Sequence, residues 1–360
     1  MQTQLGIGSM KICLLGDTHF GVRNDSKAFH AYYEKFYSEI LFPYLEQNNI
    51  KTILQLGDLF DRRKYINFMS LAEARRYFFD VIVEKKMDLI ALIGNHDIFW
   101  KESLKVNSPD LLLQDYDNIT IIQEPTTLTF DNAQMDIIPW ICKENENDIA
   151  DFITKSASDF CAGHFELSGF QMMKGIDSHD GMDRSMLKTY NTVFSGHYHT
   201  RSHEDNIVYL GTPYELAWND EGDPKGFYIF DTDTGLFDFI QNPLNMFIKH
   251  YYDDEKTDPN LIDKTIFTNK YVKLVVVNKK DILKFDKFVE SIYTNNPIEL
   301  KIIEDFSEFE ANALDDSIDL EDTMTLLSDY VDSVETDSDK ERLKTLLKTL
   351  YVEAQHYNEA

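Results

Sequence analysis

Residues 11–19 are KICLLGDTH: a short apolar run, a glycine, and then two side chains that can bind a metal ion, Asp17 and His19. Apolar runs of this length predict buried β-strands, and glycine lets the chain turn sharply where a strand ends. Because ligands of α/β sheets bind at the carboxyl ends of the strands, repeated segments of this kind would deliver side chains to one place. Four more segments have the same order: TILQLGDLFD at 52–61, LIALIGNHD at 89–97, DFCAGHF at 159–165 and TVFSGHYH at 192–199.

Each of the five segments has an ordinary explanation when taken alone, because glycine followed by Asp or Asn commonly forms a turn. Five of the ten histidines nevertheless fall in these segments, each just after a β run. That concentration disfavours a chance origin for the series. The side chains in it that can bind or act beside a metal are Asp17, His19, Asp58, Asp61, Asn95, His96, Asp97, His164, His197 and His199.

A set of carboxylate, amide and imidazole groups suits a binuclear metal site. Two divalent ions roughly 3.5–4 Å apart can clamp a phosphate, activate a water and stabilise both the attacking and the leaving oxygen. Holding two cations so close requires a bridging carboxylate, which offsets part of their mutual repulsion. Without thiolate ligands the set favours Mn²⁺, Fe²⁺ or Zn²⁺ over copper.

Residues 10–243 alternate short β runs with amphipathic stretches, and this alternation predicts one layered α/β domain. No internal repeat interrupts it. The periodicity of apolar side chains predicts helices over 29–45 and 69–85 and buried strands over 53–56 and 89–93.

The two ends of the chain differ from this central part. Residues 1–9 are polar with little periodicity, and we expect a disordered extension there. Residues 260–305 predict a small βαβ domain, residues 306–318 an acidic linker, and residues 319–356 two amphipathic helices. The βαβ elements are expected at 271–277, 281–293 and 298–303.

Composition excludes several classes of protein. Apolar residues make up 43% of the 360 residues, enough for a large core. No apolar stretch is long enough to span a membrane, no secretory signal begins the chain, and the three cysteines form no CxxC motif. We therefore expect a cytoplasmic protein. The net charge of −28 argues against a free-standing DNA-binding protein, unless metal ions and a partner supply the positive field.

The ordered series DxH, GDxxD, GNHD, GH and GHxH resembles the signature of the calcineurin-like metallophosphoesterases. Within that superfamily the chain resembles the nuclease subunits of double-strand-break repair nuclease–ATPase complexes, of the bacterial SbcD type and closest to those of large tailed phages. The likeness to the phage proteins lies in MDIIPWIC at 135–142, ASDFCAGHFELSGF at 157–170 and YLGTPYELAWNDEGDPKGFYIFDT at 209–232. The fold that this implies is a layered α/β metallophosphoesterase β-sandwich flanked by helices, with a βαβ cap domain and a C-terminal helical hairpin.

The resemblance also implies roles for the motif residues, carried over one by one. His96 would not bind a metal ion but would act on the scissile phosphate as an acid or a positive charge. At Asp61 many relatives carry His, whereas protein-phosphatase relatives carry an Asp that orients the GNH histidine; Asp61 would therefore orient His96 and raise its pKa. Asp97 would be structural or begin a helix. The first metal ion would be bound by Asp17, His19 and His199, and the second by Asn95, His164 and His197, with Asp58 bridging.

The function that follows is a two-metal DNA phosphodiesterase, an exonuclease on double strands and an endonuclease on single strands, in recombination, repair and end processing. Mn²⁺ is the expected metal, with Mg²⁺, Fe²⁺ or Zn²⁺ as alternatives. The expected partners are DNA, a coiled-coil ATPase bound by the C-terminal helices, and a second copy of the chain, in the host cytoplasm if a phage encodes it. Basic residues that follow two of the motifs are candidate phosphate contacts: Arg62, Arg63, Lys64, Lys101 and Lys105.

Two other functions remain open on the sequence. The metal motifs would also suit a stand-alone phosphatase or a cyclic-nucleotide phosphodiesterase, although such enzymes have no need of a cap and a helical tail. A non-catalytic scaffold is disfavoured, because every ligand position and His96 are present.

Overall fold

The computed structural model describes residues 10–173, 176–177, 181–256 and 258–304, together with Lys340 and Lys344. Apart from those two lysines, the predicted extension 1–9, linker 306–318 and tail 319–356 lie outside the described residues. The chain forms two units, Met1–Leu216 with Asp220–Ile302 and Ala217–Asn219 with Ile303–Ala360.

The first six-stranded sheet carries three of the five motif segments. It contains β1 (Lys11–Leu15), β2 (Thr52–Gln55), β3 (Asp88–Leu92), β6 (Ile119–Ile122), β15 (Gly226–Asp231) and β16 (Phe237–Gln241). The order is β16-β15-β1-β2-β3-β6. Strands β1, β2, β3 and β6 run parallel, and β15 pairs antiparallel with β1. The first three motifs therefore end on one edge of one sheet.

The second six-stranded sheet carries the other two motif segments. It contains β7 (Thr126–Phe130), β8 (Ala133–Ile138), β9 (Phe160–His164), β12 (Thr192–Gly196), β13 (Ser202–Glu204) and β14 (Ile207–Tyr209). The order is β13-β14-β12-β9-β8-β7, and β8, β9, β12 and β14 run parallel. The ends of β9 and β12 are thus neighbours.

The two sheets pack face to face around one apolar core. Leu14 and Leu54 of the first sheet share this core with Ile137 and Phe194 of the second, and all four side chains are fully buried. A layered α/β sandwich was predicted from the alternation of β runs and helices, and it is confirmed.

Helices lie between the strands, and two of the long ones contain a π-helical turn. Tyr37–Leu41 is π-helical and joins two α-helical segments, as does Arg75–Phe79. The helices predicted over 29–45 and 69–85 are therefore present with a wider turn in the middle of each. The helical segments are α1 (Val22–Asp25), α2 (Lys27–Phe36), α3 (Phe42–Gln47), α4 (Phe68–Ala74), α5 (Asp80–Glu84), α6 (Ser108–Leu113) and α7 (Glu146–Lys155). Of these, α1 is a single turn in which the last three residues have left-handed φ.

A three-stranded sheet follows the sandwich in the chain. It contains β17 (Phe247–Asp253), β18 (Tyr271–Asn278) and β19 (Glu299–Ile303), with α8 (Ile282–Thr294) between the last two. Its order is β17-β18-β19, and it has a separate core that includes Tyr252, Leu274 and Phe288. The predicted strand–helix–strand unit is present. In addition, β17, which lies before the predicted boundary at 260, pairs parallel with β18.

Two short hairpins and four 3₁₀ turns complete the described elements. The hairpins are β4 (Ile98–Trp100) with β5 (Ser103–Asn107), and β10 (Gln171–Met173) with β11 (Ile176–Asp177). The 3₁₀ turns are Arg184–Leu187, Trp218–Asp220, Pro259–Leu261 and Lys264–Phe267. Among the helices that the structure describes, none has the length and apolar character to cross a membrane.

Candidate metal centre

The first group of candidate ligands combines the ends of β1 and β12. Asp17, His19 and His199 have ligand atoms that all lie within 4.8 Å of one another. The two ring nitrogens His19 Nε2 and His199 Nε2 are 3.1 Å apart, and Asp17 Oδ2 is 4.0 Å from His199 Nε2. Asp17 is almost fully buried and also accepts the His197 N–H at 2.9 Å, which ties it to the turn after β12.

The second group combines the ends of β3, β9 and β12. Asn95 Oδ1 lies 2.9 Å from His164 Nε2 and 3.0 Å from His197 Nδ1. The ligand atoms of Asp58, His164 and His197 all lie within 4.8 Å of one another. One amide oxygen, one carboxylate and two ring nitrogens therefore converge on a single point.

Asp58 stands between the two groups. Its Oδ2 atom is 3.3 Å from His164 Nε2 in the second group and 3.9 Å from His19 Nε2 in the first. Its other oxygen, Oδ1, accepts the main-chain N–H of His96 at 2.8 Å. This is the placement that a carboxylate needs to serve two ions at once.

Asp97 fixes the turns that present these side chains. Its buried carboxylate accepts the main-chain N–H groups of Gly94 at 2.9 Å, Asp58 at 2.9 Å, Leu59 at 3.0 Å and Phe60 at 3.3 Å. One side chain from the third motif thus holds the turn of the second motif as well as its own. The structural role expected for Asp97 fits these contacts, whereas a helix start does not, because a β-hairpin follows it.

Three candidate ligands have left-handed backbone conformations that non-glycine residues rarely adopt. They are His19 with φ 43°, Asp58 with φ 54° and His197 with φ 85°. Such strain persists only where the surrounding structure enforces it, and it concentrates at functional sites.

Two of the motif glycines are required for different reasons. Gly57 has φ 93°, which a side chain would strain. Gly94 has an ordinary φ but lies against the second motif, where a Cβ atom would collide with the backbone and carboxylate of Asp58. The sharp turn expected of every motif glycine therefore holds for Gly57, while Gly94 permits two turns to approach closely.

His96 lies beside the first group, with its ring centroid 4.9 Å from that of His19. Its Nδ1 lies 2.6 Å from the main-chain oxygen of Asp61. Because a carbonyl oxygen only accepts hydrogen bonds, Nδ1 of His96 is the donor and carries a proton.

Asp61 contacts two of the motif histidines. Its carboxylate lies 3.4 Å from His19 Nδ1, and its main-chain carbonyl accepts from His96 Nδ1. That the side chain orients His96 stays a prediction. Burial would raise the pKa of Asp61, but its contact with His19 and the charge of the neighbouring imidazoles bring that pKa below its usual range.

The contacts behind the histidines fit a metal centre. His164 Nδ1 donates to the Leu56 carbonyl at 2.7 Å, and Nε2 faces Asn95 and Asp58. At His19 the Asp61 carboxylate lies 3.4 Å from Nδ1 without hydrogen-bond geometry, and Nε2 faces the first group. Histidines that bind metals typically donate their other ring N–H to a carbonyl or carboxylate, which fixes the tautomer.

The electrostatics of the two groups favour cations. Burial raises the pKa of Asp17 to about 7. Burial would lower the pKa of His164, but the Asp58 carboxylate outweighs it and raises that pKa to about 9. Burial and neighbouring imidazoles lower the pKa of His197 and His199, which leaves both rings neutral at pH 7. Because metal ligands bind in the deprotonated form, an ion would displace the protons on Asp17 and His164 and would meet neutral rings at His197 and His199.

One aromatic residue beside the second group was missed by the motif series. The Trp140 ring lies 5.3 Å from that of His197 and 5.8 Å from that of His164, centroid to centroid. It follows β8, which is the parallel neighbour of β9. Applying the strand-end rule to every parallel strand, not only to those followed by glycine, would have found it.

Two of the candidate phosphate contacts already have acidic partners. Arg62 Nη1 lies 3.2 Å from Asp25 Oδ2, and Lys105 Nζ lies 2.7 Å from Glu144 Oε1. A phosphate would have to compete with these carboxylates, which weakens the prediction for Arg62 and Lys105.

Comparisons with known proteins agree with this geometry. A family model described as calcineurin-like phosphoesterase matches residues 10–201. The chain is 36% identical over 352 residues to exonuclease subunit 1 of Enterobacteria phage T4, and the match covers 96% of this chain and 99% of that protein. Among solved structures, a glutamine-dependent NAD⁺ synthetase from Acinetobacter baumannii is 9% identical, with a TM-score of 0.29, over 96% of this chain and 73% of that one. A likeness that weak bears on neither fold nor function.

Proposed function

The chain belongs to the calcineurin-like phosphoesterase family, and on that basis we propose that it is a two-metal DNA phosphodiesterase, the nuclease subunit of a recombination complex. The family and the two ligand groups support a divalent metal centre. The relative that shares almost its whole length is named an exonuclease subunit, which supports DNA as the substrate.

The placement of Asp58 carries the proposal. A carboxylate oxygen 3.3 Å from one ligand group and 3.9 Å from the other is suited to bridging two ions. The first ion would be held by Asp17, His19 and His199, the second by Asn95, His164 and His197. We propose Mn²⁺ as the metal, because oxygen and imidazole ligands without thiolate suit it.

The chain's own residues would bind and orient the phosphodiester. Divalent ions in these positions would supply an activated water and positive charge for the phosphate. His96 is held by a hydrogen bond from Nδ1 and by another from its main-chain N–H, to the Asp61 carbonyl and the Asp58 carboxylate respectively. We propose that His96 acts through its other ring nitrogen, Nε2, donating a proton to the leaving oxygen or stabilising developing charge.

The partner proposals rest on the T4 relative and on the sequence. That relative is named a subunit, and we propose that residues 319–356 bind a coiled-coil ATPase. An ATPase that grips DNA would account for a nuclease chain with a net charge of −28. A homodimer is also expected, from the family resemblance alone.

A substrate panel tests the function. End-labelled duplex and single-stranded DNA, a cyclic nucleotide and a phosphopeptide are each incubated with the purified chain and Mn²⁺ or Mg²⁺, with Asp58→Asn as the matched inactive control. We expect DNA cleavage by the wild type alone. Hydrolysis of the cyclic nucleotide or the phosphopeptide with intact DNA would favour a stand-alone esterase, and no hydrolysis of any substrate at full metal occupancy would favour a scaffold.

A further inference from the structure

Lys225 is a buried cation next to the first ligand group. Its side chain is only 3% exposed, and it directly precedes β15. The ammonium nitrogen Nζ lies 2.7 Å from Asp220 Oδ1 and 2.9 Å from Asp223 Oδ2. It also donates to the main-chain carbonyl oxygen of His199 at 2.8 Å. Lys225 therefore joins two carboxylates to the backbone of a candidate metal ligand.

Lys225, Asp220 and Asp223 form a cluster of buried charges. Burying an ammonium or a carboxylate is costly unless it is paired and hydrogen-bonded. The second oxygen of Asp220 accepts the main-chain N–H of Leu216 at 2.8 Å, so this carboxylate is also tied to the segment that precedes it. Such a cluster is retained at a cost in desolvation, which calls for a purpose beyond stability.

The His199 carbonyl is a point where the turn after β12 can be fixed. It accepts a second hydrogen bond from the Thr212 N–H at 3.2 Å. His197, two residues earlier, has the left-handed φ of 85°, so the turn is strained and depends on its surroundings. With two donors on its carbonyl, the His199 backbone is held and its ring faces His19.

We propose that Lys225 is a positioning residue for the first metal ion: by holding the His199 carbonyl, it keeps the His199 ring in the first ligand group. This proposal rests on the metal centre proposed above. The competing explanation is that the cluster only stabilises the fold.

The sign of an electrostatic effect separates the two explanations. Lys225→Met removes a positive charge near a cation site, which by Coulomb's law alone would strengthen metal binding. The positioning role predicts weaker binding instead. Lys225→Met with Asp223→Asn removes one charge of each sign, so the net charge is unchanged, and Asp220 keeps its bond from Leu216. Lys225→Met alone leaves two buried carboxylates without a cation and could fail to fold for that reason. The double variant leaves only one, so it provides the test in that case.

The experiment is a titration of the full-length apoprotein with Mn²⁺. Calorimetry measures the binding of each ion, and electron paramagnetic resonance detects the coupled pair. The wild type should take up two ions and give the spectrum of a coupled pair. Both Lys225 variants should bind one ion about 10–100-fold more weakly, so the coupled signal appears only at correspondingly higher Mn²⁺. In a His19→Ala background, which already lacks the first group, Lys225→Met should change nothing further.

The control for lost stability is Asp136→Asn. Asp136 is a fully buried carboxylate that accepts hydrogen bonds from Thr127, Ser158 and Tyr190. The Asp136→Asn substitution should lower the melting temperature and leave both Mn²⁺ affinities unchanged. Wild-type affinities in the double variant, or an equal loss of affinity in Asp136→Asn, would overturn the positioning role. A wild type that binds fewer than two ions would overturn the metal centre itself.

Discussion

At the scale of single residues, His96 is expected to act on the scissile phosphate, whereas the neighbouring histidines are expected to bind metal ions. Its main-chain N–H donates to Asp58 and its ring Nδ1 to the Asp61 carbonyl, whereas the two ligand groups are formed by other side chains. We therefore expect both groups to persist without the imidazole.

His96→Ala should keep both metal ions and lose about 10²–10⁴-fold in cleavage rate, the usual contribution of a positioned acid or charge. Metal content by mass spectrometry and the rate on end-labelled DNA are measured on one preparation. Loss of metal in step with activity would instead make His96 a ligand.

Asp58→Asn should impair metal binding more than Asn95→Ala does. Asp58 faces both groups, whereas Asn95 faces two histidines of the second group only. We expect the first substitution to prevent uptake of a pair of ions and the second to weaken one ion. Mn²⁺ stoichiometry from equilibrium dialysis decides this, and equal stoichiometries in the two variants would argue against the bridge.

The repeated order of strand, glycine and polar side chain marked ten candidate residues, and the resemblance to the metallophosphoesterases selected seven of them as ligands. The structure brings all seven together. Their roles stay predictions. The direction of the Asp61 carboxylate was not predictable, because it depends on the left-handed backbone of His19 and Asp58. Nor was the role of Lys225, which lies outside the five metal motifs and 26 residues beyond His199.

At the scale of elements, the site depends on parallel pairing. The ends of β1, β2 and β3 meet because the three strands are adjacent and parallel, and β9 and β12 do the same in the second sheet. Near-continuous apolar runs predicted β2 and β3 to within one residue at each end, since buried parallel strands have such sequences. Strand β17, with the sequence FIKHYYD, was missed because its apolar and polar residues do not alternate. Only its pairing with β18 makes it a strand.

Glu215 links the sandwich to the start of β17, and its titration should make the stability of the chain depend on pH. This buried carboxylate accepts the N–H groups of Met246 at 2.6 Å and Phe247 at 2.9 Å. Burial nevertheless raises its pKa from 4.5 to about 7. Between those values the folded chain holds a proton that the unfolded chain has released, so this group's contribution to stability falls as pH rises through about 7.

Glu215→Gln keeps an acceptor oxygen and removes the titration. The free energy of unfolding of the variant minus that of the wild type should therefore increase between pH 5 and pH 8, by on the order of 1 kcal/mol. Urea denaturation of the two apoproteins at both pH values measures it, with Glu290→Gln on the exposed face of α8 as the control. A difference that does not change with pH would contradict the assignment to Glu215.

At the scale of the whole molecule, the net charge of −28 implies that the chain that cuts DNA is not the main source of affinity for DNA. Metal ions can attract one phosphodiester to the site, but non-specific affinity for DNA comes mainly from Lys and Arg at phosphates. A chain this acidic needs another source of that affinity, and a DNA-gripping partner would provide it.

Truncation after about Phe309 should leave Mn²⁺-dependent cutting of short single-stranded DNA nearly intact and abolish co-purification with the proposed ATPase partner. The second predicted helix of the tail would have an apolar stripe formed by Leu343, Leu346, Leu347 and Leu350. A sharper test is Leu346→Glu with Leu350→Glu, which places two charges in this stripe. Thr345→Glu with Thr349→Glu adds the same charge on the opposite side of the predicted helix and should be harmless. Pull-down of the ATPase by the leucine variant at wild-type affinity would place the interface elsewhere.

The central claim is that two ions share Asp58 at the ends of five strands. Anomalous diffraction at the manganese edge, from crystals of the chain grown with Mn²⁺, tests it most directly. The account predicts two peaks roughly 3.5–4 Å apart, one among Asp17, His19 and His199 and the other among Asn95, His164 and His197, with Asp58 contacting both. A single peak at saturating Mn²⁺, or two peaks with Asp58 bound to only one of them, would contradict it.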